Sequence, residues 1–370
     1  MIFTECFSVI PDPRKDINKR HNLLDILFLT VSALLCGADS WDEIEEFGKL
    51  KSDWLKTHRP FDNGIPSHDT LSRVIALIDP NVLASSFVNW VNEMRKKTGR
   101  EIIAIDGKTL RGSFKDDRQS SLHVLSAWAK DQGLSLGQLR SEGKKNEIKT
   151  IPKLIDMLNV EGSIVTCDAM GCQKEIAEKI IDKKADYVFG LKGNQGNLNK
   201  EVQAWFHKNE REGFEKIDYS QFEEITKGHG RIDERHYLQL PVSEWFDHAS
   251  LWKGLKSVIR VQRKRHIKGQ ETEETSYYIS SLGQDAQEVA RAIRGHWSIE
   301  NSAHHLLDVT FKEDASRIRM GHAAENMSTL RKVAINLVKQ EKTKPKLSVK
   351  RKRFSAALDD QYLDAILFGT

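Results

Sequence analysis

Asp106 closes an apolar, strand-like run, Ile102-Ile103-Ala104-Ile105, and opens the segment Gly107-Lys108-Thr109-Leu110-Arg111-Gly112. The arrangement recurs at Ser163-Ile164-Val165-Thr166-Cys167-Asp168, and a third acid, Glu300, stands in the helical pattern His296-Trp297-Ser298-Ile299-Glu300-Asn301. Two acids at strand ends and one on a helix suggest a divalent-metal site made of hard oxygen ligands. Two Mg²⁺ ions bridged by carboxylates lie about 3.5 to 4 Å apart and keep positions open for water and phosphate. Each acid alone has an ordinary reading as well. Asp-Gly is a common turn pair, Asp168 suits the cap of a following helix, and a buried glutamate usually meets Arg or Lys. The combination carries the metal reading, because a turn role for one aspartate predicts neither of the other two acids.

The elements that must position these residues follow from periodicity. Helices are expected over His21 to Cys36, Ser40 to Thr57, Asp69 to Ile78 (capped by Ser67-His68-Asp69-Thr70 and stopped by Pro80) and Val82 to Lys97, a small helical bundle. A helix-turn-helix presenting Arg73 is conceivable there, without a specific turn signature. Strands then read at Glu101 to Asp106, Leu122 to Trp128 and Leu134 to Leu139, a helix behind Asn146 at Glu147 to Leu158, a strand at Ser163 to Cys167, a helix at Gln173 to Lys183 and a strand at Tyr187 to Leu191. This β-β-β-α-β-α-β-α order implies an α/β fold with a mixed sheet, in which pairing of the first and fourth strands would make Asp106 and Asp168 neighbours about 4.8 Å apart.

Between about residues 207 and 284 the text turns β-rich, with Lys227-Gly228-His229-Gly230, strands at Arg235 to Leu240, Ser257 to Val261 and Glu274 to Leu282, and a turn at Gly269. Glu300 follows this insertion. Ile293, Trp297, Glu300, His304, Leu307 and Phe311 are spaced by 3 and 4, which places Glu300 on an apolar stripe. An unpartnered carboxylate buried there would cost several kcal/mol. A metal or a cation, with Arg294, Lys312 and Arg317 as candidates, is therefore expected beside it. Glu300, His304 and Asp308, with adjacent His305, also form a ladder, read most simply as surface residues. Lys339 to Ser348 reads as a linker and Ser355 to Phe368 as a last apolar helix. The expected domains are 1–95, 96–206, 207–284 and 285–370.

A chain of 370 residues, 39% hydrophobic, can bury more than one core. With 57 basic and 53 acidic residues its net charge of +4 makes only local clusters informative for nucleic acid. The densest are Arg260-Val261-Gln262-Arg263-Lys264-Arg265-His266 and Lys350-Arg351-Lys352-Arg353. Lys108, Arg111 and Lys192 lie just past strand ends, where they suit a scissile phosphate, and Lys312, Arg317 or Arg319 suit phosphate contact beyond Glu300. The four cysteines (Cys6, Cys36, Cys167, Cys172) show no CxxC or zinc-finger spacing, which fits a reduced cytoplasmic setting. No signal-peptide pattern opens the chain, and Leu23 to Ala38, interrupted by Asp25, falls short of a membrane span, so no membrane partner is expected. Gly107-Lys108-Thr109 lacks the earlier glycine of a P-loop, because Ile102 occupies that position, and no G-x-S-x-G elbow occurs.

Taken together, Ala104-Ile105-Asp106-Gly107-Lys108, Lys145-Asn146-Glu147-Ile148, Thr166-Cys167-Asp168-Ala169, Gly190-Leu191-Lys192-Gly193-Asn194-Gln195 and Arg294-Gly295-His296-Trp297-Ser298-Ile299-Glu300-Asn301 resemble the DDE-class insertion-sequence transposases, most closely the H-repeat-associated transposase-like proteins. The resemblance covers nearly the whole chain. It implies an RNase H-like catalytic core with a β-rich insertion, Asp106, Asp168 and Glu300 as ligands of Mg²⁺, for which Mn²⁺ substitutes, and a helical N-terminal domain that contacts transposon ends. It further implies double-stranded DNA as substrate, self-association on DNA, and cleavage followed by strand transfer. The alternatives are a catalytically silent DNA-binding descendant and a metal-dependent nuclease. The sequence departs from the broader group at His296, four residues before the glutamate, where an arginine is usual, and at Leu307, seven after it, where a lysine is usual.

Overall fold

A computed structural model of the chain describes residues 2–95, 99–113, 121–143, 146–228, 230–242 and 246–369. The chain divides into two compact units, one of residues 1–96, 107–146 and 300–370, the other of residues 97–106 and 147–299. The division follows packing, whereas the sequence boundaries at 95, 206 and 284 follow changes of element type. Lys145 and His229 of the quoted motifs lie outside the described residues.

The first unit is mainly helical. Its opening helices are α1 (Ile2–Ser8), α2 (Leu23–Leu35), α3 (Trp41–Leu50), α4 (Ser52–His58), α5 (His68–Leu77) and α6 (Pro80–Met94). Local chemistry sets their limits. Asn22 caps α2 by accepting from the Leu24 amide, Ser40 and Glu43 form a capping box on α3, and Ser67 accepts from the Thr70 amide at α5. Pro80 does more than stop a helix: it is the first residue of α6, where its missing N–H costs nothing, and Asp79 caps that helix. The single helix expected over Ser40 to Thr57 is broken at Lys51, which leaves helical geometry between α3 and α4.

Strand β1 (Ile102–Leu110) begins in the second unit and ends in the first, which also holds the antiparallel hairpin of β2 (Leu122–Ala129) and β3 (Leu134–Ser141). The second unit continues with α7 (Glu147–Met157), β4 (Ile164–Cys167), α8 (Lys174–Asp182), β5 (Asp186–Leu191) and α9 (Gly196–Arg211). It then adds β6 (Ser220–Gly228), β7 (Arg231–Pro241), β8 (Ser257–Ile267), β9 (Gln270–Ser280) and α10 (Ala286–His296). β1, β4 and β5 are parallel neighbours, and β9, β8, β7 and β6 extend the same sheet antiparallel from β5. The β-rich insertion is therefore an outgrowth of this large mixed sheet rather than a separate layer. β6 is mostly polar, with Glu223, Glu224 and Lys227 among its nine residues, and was not legible as a strand. Lys268 and Gly269 turn β8 into β9 with φ of 49° and 79°, the left-handed conformations that a two-residue hairpin turn requires. α10 lays Val289, Ala290, Ala292 and Ile293 on the sheet against Ile102, Ile164, Val188 and Ile259.

After α10 the expected single helix does not continue. Two π-helical stretches, residues 299–304 and 306–310, replace it, and their wider turns change which residues face inward. The first unit then resumes with α11 (Ala323–Gln340), α12 (Val349–Leu358) and α13 (Asp360–Phe368); the expected last helix is broken at Asp359, which caps α13. α11 is the centre of this unit, with every residue from Glu325 to Val338 buried. It packs on α2, α5, α6, α12, α13 and β3.

A helix buried on all sides must place its polar residues against partners. Asn336 does so by exchanging two hydrogen bonds with Ser135: its Oδ1 accepts from the Ser135 amide (2.9 Å) and its Nδ2 donates to the Ser135 carbonyl (2.8 Å). Asn326 Nδ2 donates to the Ile75 and Ile78 carbonyls at the end of α5. Asn336→Ala leaves both backbone groups of Ser135 unpaired in a dry site, so a loss of about 2–4 kcal/mol is expected in urea unfolding followed by circular dichroism.

Candidate active site

The register Ile105↔Cys167 between the parallel strands β1 and β4 sets Asp106 and Asp168 one residue beyond matched positions on adjacent strands. At an interstrand spacing of about 4.8 Å the two carboxylates are neighbours, as expected if these strands pair. Asp106 is half-buried and Asp168 exposed. Asp168 does not cap α8, whose cap position is Gln173; its Oδ1 instead accepts from the amides of Met170 (3.0 Å) and Gly171 (3.1 Å). This tight turn fixes the side chain, while Oδ2 has no hydrogen-bond partner among the described residues. The turn is tied from outside by two amides of the β5–α9 connection: Asn194 Nδ2 donates to the Ala169 carbonyl (2.6 Å) and Gln195 Nε2 to that of Cys172 (2.9 Å). The sequence reading valued this loop for Lys192 and missed the positioning role of Asn194 and Gln195.

Cys167 and Cys172 are buried, and burial raises both thiols, that of Cys172 to about 12, so neither is a nucleophile. Asp168, Asp106 and Glu147 act on Cys167 in the same direction, which brings a buried fourth acid, the first residue of α7, close to the aspartates. Nothing in its helical periodicity marked Glu147. His296 Nδ1 lies 3.1 Å from Thr166 Oγ1, and burial lowers its pKa against the upward pull of Asp168. His296 is thus a neutral imidazole beside β4, not a cation in the position where an arginine is usual.

Glu300 is exposed, which corrects the expected burial on an apolar stripe. Because the π-helical stretch shifts the phase, Ile299 and Ala303 face inward while Trp297 and Glu300 do not, and Ile293, Leu307 and Phe311 are buried as expected. The Glu300 carboxylate makes no hydrogen bond or ion pair among the described residues, and its three candidate cations are engaged elsewhere or free: Arg294 meets Glu224 (3.5 Å), Lys312 meets Asp39 (3.6 Å), and Arg317 is exposed without an ion pair. No three His, Cys, Asp or Glu side chains among the described residues converge closely enough to enclose a metal ion. β1 runs on to Leu110, so Asp106 is not the strand end expected; only the pairing with β4 stops there. The donors nevertheless suit Mg²⁺ or Mn²⁺, being carboxylate oxygens, two of them one residue past the last paired positions of β1 and β4, with an oxygen of Asp168 and the whole of Glu300 left unsatisfied.

The cations expected to meet phosphate separate into two groups. Among the described residues Lys192 is exposed without an ion pair, and Arg111 is 83% exposed with a loose contact to Asp314 (3.6 Å). Lys108, by contrast, is withdrawn: Asp308, Glu313 (2.9 Å) and Asp314 (3.4 Å) surround its ammonium. Within the clusters, Lys352 bonds the Glu341 side chain and carbonyl, Arg353 reaches the Leu34 and Thr310 carbonyls and Asp39, and Arg260 pairs with Glu210. These three are structural, not a phosphate footprint. Arg263 and Arg265 lie on β8 with Arg231 and Arg235 of β7 around the buried Asp233, leaving that face with excess positive charge. His304 is not the surface residue expected: burial, with the nearby Lys332 and Lys108, lowers its pKa to about 3, so it is neutral.

With this geometry in place, the chain belongs to the DDE transposases: the Transposase DDE domain family matches residues 97–337, and a DDE_Tnp_1-associated family matches residues 4–91. Among its relatives is a protein of Escherichia coli O157:H7 named "Putative transposase YncI", 46% identical over 365 residues that cover 97% of this chain and 93% of that protein. Another, "H repeat-associated putative transposase YhhI" of Escherichia coli K12, is 42% identical over 99% of this chain and 97% of its own length. A shorter relative from the same strain, "Inactive transposase YbfQ", is 46% identical over 72 residues, 20% of this chain.

The acid network around Lys108 makes a pH prediction. Burial alone would raise the Glu313 carboxyl, but Lys332, Lys108 and Arg331 outweigh it and hold it at about 2, below the ordinary 4.5. A depressed carboxyl stabilises the fold above about pH 4.5 and loses that contribution as pH falls toward 2; the shift corresponds to about 3 kcal/mol. Urea midpoints measured at pH 6, 4 and 3 are expected to fall steeply for the natural chain. Glu313→Gln is expected to begin lower at pH 6, because it strands buried cations, and to decline less on acidification.

Proposed function

We propose that this DDE-family protein is an Mg²⁺-dependent transposase with an RNase H-like core that cleaves DNA at insertion-sequence ends and joins the freed 3′-hydroxyl to target DNA, with Asp106, Asp168 and Glu300 as the metal ligands. The observation that carries the reading is the β1–β4 register, which sets two of these acids one residue past the last paired positions of adjacent strands in a chain of this family. The parallel strands β1, β4 and β5 with the hairpin β2–β3 support the RNase H-like description. Divalent metal held by the three carboxylates supplies Lewis acidity to the attacking oxygen and neutralises charge on the leaving one.

This chain's own residues prepare the rest. The turn at Asp168, tied by Asn194 and Gln195, holds one carboxylate in a fixed direction. Lys192 and Arg111 offer uncommitted or loosely held cations for the scissile phosphate and its flanks, and Arg317 and Lys312 do so past Glu300. In cleavage, water adds to phosphorus and the bond to the 3′ oxygen breaks; in joining, that 3′-hydroxyl attacks a target phosphate and displaces its 3′ oxygen. The arginine-rich face of β7 and β8 tracks duplex backbone, where phosphate contacts supply affinity without sequence. We place the action on paired double-stranded ends, with self-association, in the cytoplasm; among the described residues no single helix is long and apolar enough to cross a membrane.

Purified protein incubated with DNA carrying candidate element ends and Mg²⁺ is expected to give end-specific nicks and joined products, with Asp168→Asn losing both at least about 10³-fold while still binding the ends. Nicks without joined products would identify a nuclease, and end binding without cleavage by the natural chain would identify a silent descendant. For the β7–β8 face, the double variant Arg263→Ala/Arg265→Ala is expected to lower the slope of log K against log salt by about 2 in fluorescence-anisotropy titrations with duplex DNA, and an unchanged slope would remove those residues from the interface.

A further inference from the structure

Lys108 follows Asp106 by two positions in β1, so both side chains lie on one face of the strand. Its ammonium donates to two carboxylates, Asp308 and Glu313 (2.9 Å), and a third, Asp314, stands 3.4 Å away as an ion-pair partner; the side chain is only 10% exposed. Glu313 is fully buried among Lys108, Arg331 and Lys332, Asp308 pairs with Lys108 alone, and Asp314 also meets the exposed Arg111 (3.6 Å). Lys108 itself is thus committed to acids on several sides. The same stretch of chain is fastened independently just beyond. The Gly112 carbonyl accepts from Arg319 Nε (2.8 Å), and a Cβ at Gly112 would stand 2.1 Å from the Ser316 carbonyl oxygen, closer than any side chain permits.

Two segments are thereby stapled together within the first unit: the end of β1, which leads from Asp106, and residues 308–319, which lead from Glu300. We infer that Lys108 is a positioning residue, whose clamp on Asp308, Glu313 and Asp314 holds the chain on either side of the metal-binding acids and so sets the affinity for divalent metal. The inference rests on the three-acid reading given above. It assigns Lys108 a role different from the phosphate contact that its place after a strand end suggests. Partners that orient metal ligands from behind affect affinity by about 10- to 100-fold when lost.

The test is Mn²⁺ binding by the full chain without DNA, read as loss of the free-ion signal in electron paramagnetic resonance. The proteins compared are the natural chain, Lys108→Met, Lys108→Arg, Asp168→Asn and the double variant Lys108→Met/Asp168→Asn, each checked by circular dichroism and thermal midpoint. Met keeps the stem of Lys108 and removes its charge; the double variant reports any Mn²⁺ taken by the three vacated acids, which is subtracted. Expected is Asp168-dependent binding weakened at least about tenfold in Lys108→Met and restored in Lys108→Arg. Asp168-dependent binding of natural strength in folded Lys108→Met would overturn the positioning role and leave the three-acid site standing. Binding that ignores Asp168→Asn, or no binding by the natural chain at millimolar Mn²⁺, would overturn the three-acid reading and the inference with it.

Discussion

A carboxylate with almost no access to water, Glu313, is the constraint on which the first unit is arranged. Taking such a charge out of water costs several kcal/mol unless opposite charge accompanies it. Here the opposite charge comes from two directions. Arg331 and Lys332 arrive from α11, and Lys108 arrives from β1. The helix that supplies the first two is buried along its length, so each of its polar groups needs a partner in turn: Lys332 donates to Gln138 and Ser328, Asn336 pairs with Ser135, and Asn326 ends α5. Burial pulls Lys332 down to about 8, which still leaves it charged at neutral pH and able to hold Glu313 ionised. One buried acid thus ties together the central helix, the β2–β3 hairpin and the last residues of β1.

The second unit solves a different problem, which is to present acids at a sheet end without burying them. Parallel pairing of β1 and β4 brings Asp106 and Asp168 side by side, and water access spares Asp168 the desolvation that Glu313 suffers. The β5–α9 connection steadies the Asp168 turn from outside with side-chain amides, which add no charge to compete with a metal. Farther along the same sheet, β7 and β8 reverse the charge logic. Asp233 is a buried acid among four arginines, and its single charge orders them without cancelling them.

The legible part of this architecture was what periodicity and strand-end position encode. Asp106 and Asp168 were visible because each terminates a short apolar run, and the cap Ser67 and the breaker Pro80 act through contacts a few residues away. Glu300 was legible as an acid of interest and misread in its surroundings, since regular helical spacing cannot anticipate π-helical turns that move Ile299 and Ala303 inward in its place. Glu147, Asn194 and Gln195 stood inside motifs of the family resemblance, but their roles were not legible, because those roles come from chain segments brought close only by folding. The basic clusters misled for the same reason. Lys352, Arg353 and Arg260 read as surface charge in one dimension, and their partners, Glu341, Asp39 and Glu210, come from other elements or loops of the fold.

These reassignments change where positive charge is available. His296 is neutral, Leu307 is buried and apolar, and Lys108 is consumed by three acids, so none of the three places where the family pattern or strand-end position puts a cation provides one. The exposed cations stand elsewhere: Lys192 past β5, Arg111 past β1, and Arg317 and Lys312 beyond the π-helical stretch. Each is a long side chain on a loop or strand end, held loosely or by nothing, and such a cation pays little desolvation when a phosphate arrives. Rigid charges therefore shape the protein and loose ones remain for the ligand. This division follows from electrostatics, because a cation held among several buried carboxylates, as Lys108 is, has little left to give a passing phosphodiester, whereas four arginines sharing the one Asp233 keep more.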